Sequence, residues 1–188
     1  AESGGQVGDS GTLKGPKGRM NVTDTQKRLG SLFVHIGKVV DGKITTGETA
    51  LLQIDVARRN AIRANHSATH LLHAALQRHL GKHVTQKGSR VDEARLRFDI
   101  SQPTGLTHDQ IAVIEKEVNA RIQMNSEVTT RLLPIDEARA LGAMAMFGEK
   151  YDDEVRVLAM GGNDPDGKKK TYSLELCSGT HVRRTGAI

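Results

Sequence analysis

The chain has 188 residues, 37% of them hydrophobic, 26% charged and 3% aromatic, with a formal net charge of +5 at pH 7. That length holds one large or two small domains, and no apolar run approaches the roughly 18 residues that a membrane-spanning helix needs. The mild positive charge permits a polyanionic partner, but few rings and no Trp argue against base stacking, so phosphate contacts and shape would carry any nucleic-acid recognition.

Residues 1–56 are rich in Gly and Thr, with strand-like runs at 18–23, 31–40 and 49–56. Turns are signalled by Lys14-Gly15-Pro16-Lys17-Gly18 and by Asp41-Gly42-Lys43, the second a hairpin signal, so a small antiparallel barrel-like subdomain or sandwich is predicted for 1–56. From 57 to 80 the apolar spacing becomes helical, through Ile62, Leu72, Leu76 and Leu80, with Gly81 as the C-cap. Strands are expected at 83–90 and 94–100. A turn at Gln102-Pro103-Thr104-Gly105 leads to a helix over 107–124, opened by Thr107 and Asp109. A strand at 127–133, a short helix from Pro134 to Leu141 and strands at 155–160 and 171–177 complete the chain, with a Gly- and Lys-rich surface loop over 161–170. Antiparallel strands with helices packed on them give an α+β class, residues 57–188 forming the second domain.

The chemistry concentrates in two motifs more than a hundred residues apart. His66-Ser67-Ala68-Thr69-His70 lies in the first predicted helix, where a four-residue spacing stacks both imidazoles on one face. Cys177-Ser178-Gly179-Thr180-His181 brackets a glycine and fits a strand end entering a turn. Together they offer three imidazoles and a thiolate, a ligand set suited to Zn²⁺. His73 shares the stripe but stands about 10.5 Å from His66 along the axis, too far for both to reach one ion, so it is expected to pack or to support a ligand. Four protein ligands fit a structural zinc slightly better than a catalytic one, which keeps a position open. Cys177, the single cysteine, cannot form an internal disulfide, which fits a reducing, cytoplasmic setting. The polar start AESGGQVGDSG is no signal peptide. It opens inside a motif, and Ile188 ends no obvious tail, so a piece of a longer protein is expected. Its Gly-Gly-Gln segment could equally be a tight turn or a backbone approach to a phosphate or sugar. Gln86 and Lys87, on their own, read as strand surface, and Lys168-Lys169-Lys170 as solvated loop.

At AESGGQVGD, VTDTQK, NHSATHLLHAAL, HVTQKGS, LRFD, GAMAMFGEKY and ELCSGTH, in that order along nearly the whole chain, the sequence resembles the editing region of bacterial alanyl-tRNA synthetases. The metal motif alone is less specific, since threonyl-tRNA synthetase editing domains and free-standing alanyl-tRNA deacylases resemble it too. The resemblance implies a deacylase that hydrolyses tRNA(Ala) mischarged with serine or glycine, cut from an ATP-dependent ligase whose aminoacylation core lies upstream. By motif it places zinc ligands on His66, His70, Cys177 and His181 and an editing-pocket glutamine on Gln86. Thr69 joins Gln86 as a polar candidate to sense the serine hydroxyl. The acceptor end of tRNA(Ala) would enter near Gly4, Gly5 and Gln6, with Lys87 as a further contact. Zinc could orient the ester, polarise its carbonyl or activate water. A structural-zinc tRNA-binding module and a threonyl-type editing domain remain as alternatives. Two departures stand out: Ser178 occupies a usual glycine position, which could alter the ligand-presenting turn, and the 161–170 loop is longer than the family's.

Overall fold

The first predicted helix forms α1 (Val56–Leu80). Asp55 caps it by accepting the Arg58 backbone N–H at 3.0 Å, and Gly81 ends it at φ +114°, a backbone conformation that favours glycine. Ile62, His66, Thr69, His73 and Leu76 recur every three or four residues and are all buried. The histidines therefore occupy the stripe that α1 turns to the core, rather than its solvent face. The computed structural model that establishes this describes residues 5–144, 152–162 and 171–188.

Ahead of α1, strands β1 (Gly11–Gly15), β2 (Gly18–Arg28), β3 (Leu32–Gly42) and β4 (Leu51–Ile54) make an antiparallel sheet in the order β3-β2-β1-β4. The expected barrel is not closed: β3 and β4 are the two edges and do not pair with each other. The hairpin expected at Asp41-Gly42-Lys43 is also absent. Gly42 lies opposite Gly18 at φ +59°, and the Lys43 N–H donates to the Lys17 carbonyl at 3.0 Å. That bond carries the chain past the β1–β2 turn, so β4 joins β1 instead of folding back on β3. The open sheet leaves Phe33, Val39, Leu51 and Leu52 exposed.

Beyond α1, β5 (Gln86–Val91) and β6 (Leu96–Ile100) form a hairpin. Next comes α2 (His108–Gln123), where Thr107 and Gln110 make a reciprocal capping box at the predicted start. A second antiparallel sheet contains β7 (Thr129–Pro134), β8 (Glu154–Met160) and β9 (Ser173–Leu176) in that order, with α3 (Ile135–Ala140) between β7 and β8. The class is α+β, as predicted. The LysLysLys run and most of the 161–170 loop lie outside the described residues, as does the end of GAMAMFGEKY.

The core that sets the site joins α1 to β8 and β9 through Leu71, Ala74, Leu158, Met160, Tyr172 and Cys177, all buried. Leu71 is fully enclosed. Leu71→Ala is expected to lower unfolding free energy by about 2–5 kcal/mol, the usual cost of a leucine-sized core cavity; urea denaturation would measure it.

Candidate metal centre

β9 delivers Cys177, and the turn after it delivers His181 onto the buried stripe of α1. The ligand atoms of His66, His70, Cys177 and His181 all lie within 4.8 Å of one another. Cys177 Sγ is 3.3 Å from His181 Nε2 and 3.6 Å from His66 Nε2. Tetrahedral zinc with bonds of about 2.0–2.3 Å would separate its ligands by roughly 3.3–3.8 Å, the range of both Cys177 distances, while the bound of 4.8 Å on the whole set leaves the ligands to close slightly on such an ion.

The outer nitrogens of the rings give a second test. His66 Nδ1 is 2.9 Å from Gln6 Oε1, His70 Nδ1 is 2.9 Å from Glu175 Oε2, and His181 Nδ1 is 3.3 Å from Ser67 Oγ. Ser67 donates to the Arg63 carbonyl and accepts the Val182 N–H, which makes His181 Nδ1 the donor to it. Each imidazole thus has its Nδ1 engaged and its Nε2 lone pair free for an ion, the arrangement in which metal-binding histidines are held. His70 Nε2 is buried without a hydrogen-bond partner, a costly state unless a cation takes that lone pair. The residues present fit a zinc ion.

Electrostatics agree. Burial disfavours the Cys177 thiolate, but the imidazoles of His181, His66 and His70 packed around it outweigh that and hold the thiol down at about 3. Burial also opposes charge on His70, yet the Glu175 carboxylate and Cys177 raise it to about 10. Glu175, despite its burial, is held well below the usual carboxylate range by His70 and His73. Burial lowers His181 to about 4 against the pull of Cys177. A buried thiolate beside a buried carboxylate requires a cation, either a proton on His70 or a divalent metal in its place.

His73 does not join the ligands: its Nδ1 is 3.3 Å from Glu175 Oε1 and its ring packs on Phe98. Thr69, Gln86, Ser89 and Phe98 line a narrow cleft against the metal-type cluster. A register shift between Gln86 and Gly88 places the extra residue at Lys87, which is exposed, while Gln86 lines the cleft. Gly5 sits beside β5, Gln6 is 4% exposed, and Gly4 lies outside the described residues.

Ser178 is exposed and is not at positive φ, so a side chain there requires no strained backbone. The tight position is Gly179, where a β-carbon would fall inside the His66 ring. Glu175, Ser67 and Ser89 escaped the sequence reading. Ser89 Oγ is buried in the cleft wall without a partner. Glu175 had a signal: strand alternation puts it on the same face as Cys177 two residues on.

Similar proteins agree on one ancestry. Residues 1–58 match the family model of class II (A) tRNA synthetases. Over all of its length the chain is 60% identical to the alanine–tRNA ligase of Gluconobacter oxydans, 58% to that of Granulibacter bethesdensis and 56% to that of Cereibacter sphaeroides. Its homologues are alanine–tRNA ligases. The chain corresponds to about a fifth of each, 21% of the first two and 22% of the third. Among the described residues no helix is long and apolar enough to cross a membrane.

Proposed function

We propose that this chain is the hydrolytic editing part of a cytoplasmic alanine–tRNA ligase, releasing serine or glycine wrongly attached to tRNA(Ala). ATP-dependent aminoacylation belongs to the rest of such a ligase. The observation that carries the reading is the shared wall of the His66, His70, Cys177 and His181 cluster and the cleft holding Thr69 and Gln86. Homology to alanine–tRNA ligases favours tRNA(Ala) over a threonyl substrate.

Hydrolysis adds water to the ester carbonyl; the bond to the terminal ribose oxygen breaks, that oxygen takes one of the water's protons, the other passes to solvent, and the amino acid leaves as a carboxylate. A zinc ion on the four residues would polarise the carbonyl and orient the ester. Thr69 and Gln86 provide a hydroxyl and an amide to hydrogen-bond the serine side chain. A site built on such bonds rejects an analogue without the hydroxyl by about 10⁴–10⁵, which spares alanine. Glycine, smaller than alanine, passes a ligation site on size and so calls for a second site, but it carries no hydroxyl, so these bonds account for the release of serine alone. Residues 1–56 would guide the acceptor end past Gly4, Gly5 and Lys87, and residues 57–188 would carry the chemistry.

The test is hydrolysis of Ser-tRNA(Ala) and Ala-tRNA(Ala), with zinc measured on the same sample. Serine is expected to be released and alanine retained, and Gln86→His is expected to slow serine release on the order of 10²-fold with zinc unchanged, the cost of losing one aligned polar group. No release at full zinc occupancy would overturn an autonomous editing site. It would favour a tRNA-binding module held together by zinc, the reading that four closed ligands support. Chelation then separates the two, because a structural ion takes the fold with it.

A further inference from the structure

Residues 5–7 add to the edge of β5 as a parallel bridge. The Val91 N–H donates to the Gly5 carbonyl at 2.9 Å, and the Val7 N–H to the Val91 carbonyl at 3.0 Å. Gly5 makes the approach possible: it adopts φ +80°, and a β-carbon there would come within 2.5 Å of the Ser89 carbonyl oxygen. The bridge leaves Gln6 4% exposed, with its side chain inside the molecule.

Its Oε1 accepts three contacts of 2.9 Å, from the Thr180 backbone N–H, from Thr180 Oγ1 and from His66 Nδ1. A backbone N–H can only donate, so the Gln6 atom facing Thr180 is the oxygen and not the amide nitrogen. His66 Nδ1, on that same oxygen, must then carry a proton. Its lone pair is left on Nε2, 3.6 Å from Cys177 Sγ. One side chain therefore ties the helix that supplies His66 to the turn that supplies Cys177 and His181.

The structure assigns Gln6 as a positioning residue of the metal centre, fixing the His66 tautomer and docking the 177–181 turn, rather than as a contact to RNA. The inference rests on the metal reading above. Gln6 touches no reacting atom, and its effect passes through His66 and Thr180.

Zinc affinity by competition with a chromophoric chelator tests it in the unaltered protein, Gln6→Met and Gln6→Glu. Gln6→Met keeps the length but loses the acceptor and is expected to bind zinc about 10–100-fold more weakly, as loss of an outer partner does. Gln6→Glu keeps an acceptor and is expected to restore most of the affinity. Long-range ¹H–¹⁵N correlations on the unaltered zinc-loaded protein should show His66 protonated at Nδ1. That readout needs no variant and stands even if Gln6→Met fails to fold. Equal zinc affinity of folded Gln6→Met would overturn the assignment while leaving the metal reading intact, whereas a proton on His66 Nε2 in the zinc-loaded protein would overturn both, because that nitrogen is the one that would hold the ion. Failure of the unaltered protein to take up zinc would instead overturn the metal reading, and the Gln6 assignment with it.

Discussion

Cys177→Ala is expected to lose zinc and, with it, release of serine from Ser-tRNA(Ala). The substitution removes the one thiolate of the cluster, which the three imidazoles around it stabilise. Removing an outer partner costs about 10–100-fold in affinity, and removing a ligand itself should exceed that range. The fold should survive, because the thiol sits among Leu71, Ala74, Leu158 and Met160 and an alanine there leaves only a small void. Zinc per chain, circular dichroism and deacylation on one preparation make the measurement. Undiminished hydrolysis by folded, zinc-free Cys177→Ala would end the metal-centred account.

The second large effect is expected at Glu175. Its carboxylate lies 2.9 Å from His70 Nδ1 and 3.3 Å from His73 Nδ1, with Ser173 Oγ donating to it at 3.2 Å. Breaking a buried charged pair from one side leaves the other side uncompensated, at a cost of about 3–5 kcal/mol. Glu175→Ala should therefore be strongly destabilised in chelator-treated protein. Glu175→Gln keeps the shape and an acceptor but not the charge, and should fall between.

The pH dependence has a definite sign. Glu175 is lowered from an ordinary 4.5, so its contribution is present above pH 4.5 and lost as pH falls below it. His70 is raised from 6.5 to about 10, so its contribution is complete below pH 6.5 and lost as pH climbs towards 10. Cys177, lowered from 9.0 to about 3, and His181, lowered from 6.5 to about 4, both add stability as pH rises, so chelated protein should be most stable between about pH 6.5 and 9, and Glu175→Ala should flatten that maximum. Zinc should shift the maximum upward, because its ligands bind without their protons. A chelated protein growing steadily more stable from pH 6.5 to 10 would contradict the pairing.

The local sequence determined the elements that carry the site. Asp55 and Gly81 bound α1, Thr107 and Gln110 open α2, and the four-residue spacing of His66 and His70 stacks them on one face; each depends on residues within a turn or two of one another. The candidate ligand cluster was legible for the same reason: two pairs, each complete within five residues. What no local pattern could decide was which residues meet. His70 and Glu175 are 105 positions apart, His66 and Gln6 60, and Thr180 and Gln6 174. Gln6, in a glycine-dense stretch suited to a turn or a surface, is drawn inside only because Gly5 lets the strand reach β5. The sheet edge followed the same logic: Asp41-Gly42-Lys43 carries the local chemistry of a hairpin, yet the Lys43 bond to Lys17 sends β4 to the far side of β1. Backbone propensity acts over a few residues, whereas the protonation of a buried imidazole and the pairing of a strand are settled by whatever partner packing brings within 3 Å.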